Sequence, residues 1–237
     1  MCHIPEQGFT QNELATPVGH LGKGGRRNVP SLYNVAYAEV LFLDGREQSL
    51  EEQIWSPLLA ENEMANESRE AVLVKLAENT GYRERFAETF DEGLTARTLG
   101  KALAAYQRAL LSGDSQFDRW YFGIEKSATI GVVNERYPAQ AARGFAVFRE
   151  RGCASCHHIN EASALFTDGQ FHNTGTGYRR AGRALRPPSV QLAPGIFVVP
   201  TVDAETETFA DDGRYEVTGR AADKWRYRTP SLRNVAL

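Results

Sequence analysis

Cys153-Ala154-Ser155-Cys156-His157 is the stretch that decides how the rest of the chain is read. The spacing C-x-x-C-H is the attachment motif of a c-type haem. Two thiols three positions apart can add across the two vinyl groups of one porphyrin, and the histidine that follows is carried beneath the iron as its proximal ligand. The competing reading is half of a zinc site, a C-x-x-C pair completed by His157 or His158. Structural zinc takes four ligands, and the only other cysteine is Cys2, far away in sequence. Haem is the better reading of the five residues.

A second copy of the same unit lies upstream. Pro30-Ser31-Leu32-Tyr33-Asn34-Val35-Ala36 reads again as Pro230-Ser231-Leu232-Arg233-Asn234-Val235-Ala236, differing only at Tyr33 against Arg233. Ahead of each copy stands a Cys-His pair, Cys2-His3 and Cys156-His157, and after each pair a Phe-Thr, Phe9-Thr10 and Phe166-Thr167. An internal repeat of this kind implies two structural units of one design, and each carries a haem-type Cys-His. The expected domains are therefore 1–137 and 138–237. The first copy lacks the lead-in helix and the earlier cysteine. The second stops where the first continues into Leu41-Phe42-Leu43-Asp44-Gly45-Arg46. The expectation is a fragment trimmed at both ends, with a haem held naturally by the single thioether of Cys2 as the alternative.

At 237 residues the chain has room for one large or two small domains. With 42% hydrophobic residues and a net charge of −3, it is neither disordered nor a nucleic-acid binder by composition. No apolar run approaches the roughly 20 residues that span a bilayer, so a membrane-spanning chain is not expected. No export signal is visible, although covalent haem attachment normally takes place outside the cytoplasm. The two haem cysteines leave no pair for a disulfide framework.

In chain order, residues 4–30 read as loop, punctuated by Gly and Pro. His20 sits in this loop, either solvated or able to swing onto an iron. Arg26 and Arg27 read as a solvated pair or as partners of haem propionates. Ser49 with Glu52 opens a helix through Trp55 to Pro57. Residues 67–79 have helical periodicity and end at Gly81. A short helix over 82–90 follows, then a longer one over 95–112 with Leu99, Leu103, Tyr106 and Leu110 on one stripe. Met64 is expected in the core. Residues 115–122 are rich in aromatic side chains and either border a haem or close a domain. Residues 123–137 read as a linker. A helix from Ala139 leads into the haem motif, with Gly144 and Phe148 on one face and the glycine allowing close helix contact. Residues 166–175 read as a packed loop. Arg179, Arg180, Arg183 and Arg186 form a basic strip, and residues 196–199 a short strand. The fold class expected is mainly α, two cytochrome c-like haem domains with long loops and little β structure.

These strings together resemble the bacterial dihaem cytochrome c peroxidase family, which includes the MauG-type enzymes. The resemblance rests on Cys2-His3 with Gly8-Phe9-Thr10, Arg27 to Leu32, Phe42 to Arg46, Gln53 with Pro57 and Asn62-Glu63-Met64, Cys153 to His157, Phe166 to Gly175, and Thr229 to Leu237. They run along almost the whole chain in the family's order.

The resemblance implies two c-type haems. The N-terminal one, on Cys2 and His3, would be the peroxidatic haem. The C-terminal one, on Cys153, Cys156 and His157, would take electrons from a small cytochrome c or cupredoxin. Glu63, which alone reads as a solvated acid at a helix end, falls on the family's distal acid–base carboxylate, and Gln53 on a distal amide that orients peroxide or water. His20 falls on a distal histidine that caps the peroxidatic iron until the other haem is reduced. Asn28 matches the side-chain ligand of a calcium ion, whose matching carbonyls are expected past Leu237; one oxygen alone does not build a calcium site. The implied activity is reduction of hydrogen peroxide to water in the periplasm, by a chain that is often a homodimer. The alternatives are a MauG-like oxidase acting on residues of a partner protein and a dihaem electron carrier without peroxidase activity. The distal ligand that separates peroxidase from MauG-type lies beyond Leu237. One departure stands out: many members carry tryptophan before Asp-Gly-Arg, where this chain has Leu43. Leucine cannot relay electrons, and Trp55, Trp120 or Trp225 would have to serve instead.

Overall fold

Ser49 caps the first helix by accepting the Glu52 N–H, and α1 (Leu50–Gln53) passes through Ile54 into α2 (Trp55–Leu59). Ser68 caps α3 (Arg69–Ala77), Asn79 caps α4 (Thr80–Thr89) and Thr95 caps α5 (Ala96–Ala109). Each capping oxygen satisfies an N–H that the helix cannot. The computed structural model describes residues 2–123, 137–177, 190–193, 195–198 and 211–235. The linker expected over 123–137 lies almost wholly outside the described residues. So do Arg179, Arg180, Arg183 and Arg186, and Val199 of the expected strand.

The core of the first unit is the contact of these helices: Ile54, Trp55, Val72, Phe86 and Leu99 are buried against one another. Burying each contributes about 1.5–3 kcal/mol. Three expectations are corrected here. Gly81 does not end α3; it lies within α4, because Asn79 starts a new helix at once. The inward stripe of α5 is Thr98, Leu99, Gly100, Ala104 and Gln107, while Leu103 and Tyr106 face outward. The reason is close packing on α1: a Cβ at Gly100 would stand 2.7 Å from the Glu51 carbonyl oxygen, so small residues must face that way. Met64 is 60% exposed, not core.

α6 (Gln116–Tyr121), which falls within the expected 1–137 unit, packs against α7 (Ala139–Glu150) of the expected second unit, and their aromatic side chains interlock. Gly144 has nothing within 4 Å of where its Cβ would be, so the close helix contact expected there is absent among the described residues. Phe148 instead packs on Phe145, Phe166 and His157. Strand content is small. β1 (Phe171–His172) pairs antiparallel with β4 (Tyr227–Arg228). β2 (Val190–Ala193) forms a hairpin with β3 (Ile196–Val198). The short helix α8 (Tyr215–Thr218) precedes β4. The architecture is mainly helical, as expected. No described helix is long and apolar enough to cross a membrane.

Candidate haem sites

The end of α7 delivers the motif. After Gly152 the backbone tightens into a 3-10 turn, Cys153–Ser155, closed by the His157 N–H on the Cys153 carbonyl at 3.0 Å. Neither cysteine is in a disulfide; Cys153 is exposed and Cys156 half-buried. His157 Nδ1 lies 2.8 Å from the carbonyl oxygen of Phe166. A carbonyl only accepts, so Nδ1 must carry the proton. The Nε2 lone pair is then left free to bind a metal, which is the usual way a ligand histidine is oriented.

The first unit repeats this arrangement. His3 Nδ1 donates to the Phe9 carbonyl at 2.7 Å. Phe9 and Phe166 both sit in the left-handed region, at φ 58° and 52°. That conformation costs on the order of 1–2 kcal/mol for a non-glycine residue, and it turns each carbonyl onto its histidine. The repeated Pro-Ser-Leu segment clamps the same turns. Ser31 Oγ donates to the Gly8 carbonyl at 2.5 Å and Ser231 Oγ to the Leu165 carbonyl at 2.7 Å. Thr10 donates to the Val29 carbonyl and Thr167 to that of Thr229. Tyr33 packs edge-on against Phe9, and Arg233 takes the equivalent place over Phe166. The sequence repeat is thus a repeated device for aiming an imidazole.

These residues fit a covalently tethered haem: cysteines next in sequence to a histidine whose Nε2 has no hydrogen-bond partner among the described residues. The zinc alternative is weakened, since His158 turns its Nε2 to the Ser155 carbonyl at 2.9 Å. The structure does gather Cys156, Asp168 and His172, with ligand atoms within 4.8 Å of one another, which makes three ligands where structural zinc takes four. Sequence reasoning missed the Asp168–His172 pair, 2.6 Å apart. Burial pushes the Asp168 carboxyl up, but hydrogen bonds from His172, the Gln170 N–H and the Thr229 hydroxyl outweigh it and hold the pKa at about 2. The only hint in sequence was that both residues belong to the string 166–175.

In the first unit the structure brings two further expected residues together. The His20 N–H donates to the Glu63 carbonyl at 2.9 Å. Gly19 makes this possible, because any Cβ there would overlap the Asn62 carbonyl. His20 is exposed and Glu63 half-buried. Burial pushes the His3 pKa down, while the Phe9 hydrogen bond and the nearby Glu63 carboxylate oppose it. Gln53 lies at the end of α1 and is half-buried; no hydrogen bond joins it to Glu63 among the described residues. Asn28 is exposed, with its Oδ1 accepting the Val29 N–H at 2.7 Å.

The two arginines offered to propionates are committed elsewhere. Arg26 pairs with Glu216 at 2.7 Å. Arg27 grips Asp211 through two bonds of 2.6 and 2.7 Å and Asp44 through a third at 2.5 Å. Carboxylates on the opposite unit and on the following turn outcompete solvent because Arg27, Asp44 and Asp211 are all largely buried. Of the tryptophans, Trp55 is buried in the helical core of the first unit and Trp120 lies on α6. Trp225 abuts Gly177, and Leu43 offers its carbonyl to the Arg228 N–H at 2.8 Å.

A sequence profile for the family described as di-haem cytochrome c peroxidase matches residues 1–126. The methylamine utilization protein MauG of Methylorubrum extorquens is 36% identical over all of this chain and 56% of its own length. Cytochrome c peroxidase Ccp of Escherichia coli is 28% identical over all of this chain and 43% of its own. The chain spans about half the length of the curated relatives it matches. Among solved structures, the diheme peroxidase BthA from Burkholderia thailandensis superposes with a TM-score of 0.73 at 25% identity, covering 99% of this chain and 60% of that one.

Proposed function

The chain belongs to the di-haem cytochrome c peroxidase family, and from that premise we propose that it is the two-haem portion of an enzyme that reduces hydrogen peroxide to water. The observation that carries this reading is the paired aiming of His3 and His157, with the Glu63 carboxylate near enough to His3 to act on its charge. Two matched iron ligands provide for two haems, and Glu63 at the first would give it acid–base chemistry that an electron carrier has no use for; the acid near the second motif, Asp168, is held by His172. Haem supplies the peroxide-binding metal and stores electrons; the chain's own residues govern protons. Glu63 would take a proton from peroxide and return it to the leaving oxygen. Gln53 would orient the oxygen atoms by hydrogen bonding. His20, whose backbone N–H donates to the Glu63 backbone carbonyl, would be the cap that leaves when the second haem is reduced. The haems are c-type, with electrons from a small redox protein in the periplasm, and Asn28 contributes to a calcium site.

The test uses the haem-loaded full-length protein. A pyridine-haemochrome assay should give two haems per chain. Peroxide turnover against reduced cytochrome c should appear after partial reduction. Glu63→Gln should lower that turnover by about 10²–10⁴-fold, the usual contribution of a positioned acid–base group, with haem content unchanged. One haem per chain would end this reading of Glu63. The 36% identity to MauG favours a second reading, oxidation of a partner protein's residues. Two haems that react with peroxide but do not turn over with a donor would select it.

A further inference from the structure

The aromatic side chains of α6 and α7 form a continuous ladder from the surface to His157. At its outer end Trp120 and Tyr137 stack face to face, 4.3 Å apart and 10° from parallel. Trp120 is 40% and its neighbour Tyr121 41% exposed. Trp120 meets Phe145 at 5.5 Å, Phe145 meets Phe148 at 6.1 Å, and Phe148 meets the His157 ring at 6.4 Å. A parallel branch runs through Phe117 and Phe166, the residue whose carbonyl holds His157. Asp118, 4% exposed, receives both terminal nitrogens of Arg233 at 2.6 Å and fixes α6 on this unit. Hydrophobic burial alone does not explain the outer end. A core aromatic is covered, whereas this indole is left open to solvent and stacked on a phenol.

We propose that Trp120 is the redox port of the C-terminal unit: an exposed, one-electron relay between a donor protein and the haem seated on His157. The proposal deepens the peroxide-reducing reading and rests on it for its oxidant. Once peroxide has oxidised the protein, Trp120 gives up one electron, which passes along Phe145 and Phe148 to the His157 haem. The indole Nε1 proton goes to water. A one-electron redox protein docking on the Trp120–Tyr121 face restores the electron, and water restores the proton. Each peroxide takes two electrons and two protons to yield two waters, so two such events balance one turnover. Stacking on Tyr137 spreads the transient positive charge over a second electron-rich ring. The ladder also gives the chain a tryptophan relay at a place other than the leucine-substituted position 43.

The experiment compares the haem-loaded protein with Trp120→Phe, which keeps the ring but is hard to oxidise, and Trp120→Tyr, which restores an oxidisable ring. Peroxide is added with a nitrone spin trap and no donor, and the tryptic peptides are mapped. The adduct should fall on Trp120 in preference to Trp55 and Trp225. Re-reduction by reduced cytochrome c should slow several-fold in Trp120→Phe and recover in Trp120→Tyr. An adduct centred on another tryptophan, or equal rates in all three proteins, overturns the proposal. A second arm needs no peroxide chemistry. Photogenerated ruthenium(III) tris-bipyridine withdraws an electron at the surface, and haem oxidation is followed by absorbance. The port predicts several-fold slower haem oxidation in Trp120→Phe than in the parent or in Trp120→Tyr, and equal rates overturn it. A protein inert to peroxide that shows this difference would retain the port while the peroxidase reading failed.

Discussion

The two histidines illustrate what single residues contribute. Each is aimed by a carbonyl that a strained phenylalanine turns toward it, so orientation is settled before any cofactor arrives. Asp168 is set in a similar way, by His172, the Gln170 N–H and the Thr229 hydroxyl. Its folded pKa of about 2 lies below the ordinary 3.8. A depressed carboxyl contributes stability that is fully present above the unfolded value and is lost as pH falls through the folded one. Asp168→Asn should therefore cost about 2 kcal/mol at neutral pH. The difference from the parent should vanish between about pH 4 and pH 2, measured by denaturant titration of the haem-loaded protein across that range. A cost that persists unchanged at pH 2 would assign it to packing. At this scale the sequence was most legible where chemistry dictates spacing, as in Cys153 to His157. It was least legible where a side chain finds its partner through space. Arg26 and Arg27 read as surface or propionate ligands, because nothing local announces Asp211 or Glu216, nearly the whole chain away.

Helices show the same division. The caps at Ser49, Ser68, Asn79 and Thr95 are local oxygen-to-N–H contacts. Of the helices they start, the first two were read from sequence, while the third was mis-bounded at Gly81. The stripe of α5 was misread because its inward face is chosen by how closely α1 approaches Gly100, not by which residues are largest. α6 presents a different problem: six residues long, it is held by Ser115 at its cap and by the Asp118–Arg233 pair. Both side chains are nearly buried, at 6% and 11% exposure. Arg233→Met would strand a buried carboxylate, at a cost of about 3–5 kcal/mol. The double variant Asp118→Asn with Arg233→Met leaves no uncompensated charge and should recover part of that loss. Denaturation midpoints of the three proteins, with Trp120 fluorescence as a local reporter, check both statements. A double variant no better than Arg233→Met would show that the arginine acts by packing over Phe166, where it lies 5.6 Å from the ring centroid.

At the scale of the molecule, the proposed function would need two haems held at a fixed separation, and polar contacts join the N-terminal part of the chain to the C-terminal part. Arg228 donates its N–H to the Leu43 carbonyl and its Nε to that of Phe42, and Arg214 donates to the Asp44 and Gly45 carbonyls. Ser112 donates to Asn234. The centre of the seam is Arg27, whose guanidinium joins Asp44 of its own unit to Asp211 of the other. Burial opposes the charge on Arg27, but the two carboxylates overcome it and push the Arg27 pKa above the ordinary guanidinium value; in return Arg27 draws the Asp211 carboxyl down against the burial that would raise it. Arg27→Met would leave Asp211 buried with its own loop's Gly213 N–H, while Asp44 keeps Arg46. The loss should be about 3–5 kcal/mol at neutral pH, the range for breaking a buried pair. It should shrink on acidification, because in the variant the stranded Asp211 gains by protonation, whereas in the parent protonation breaks the bridge. Adding Asp211→Asn to Arg27→Met should restore part of the neutral-pH loss. Thermal unfolding of the haem-loaded proteins at neutral and mildly acid pH reads the stability. The rate of electron equilibration between the haems, after rapid reduction of one, reads the geometry. A seam that sets the separation must show both effects together. A stability loss with unchanged inter-haem transfer would mean that the contacts of Arg228 and Arg214 with residues 42–45 hold the distance alone.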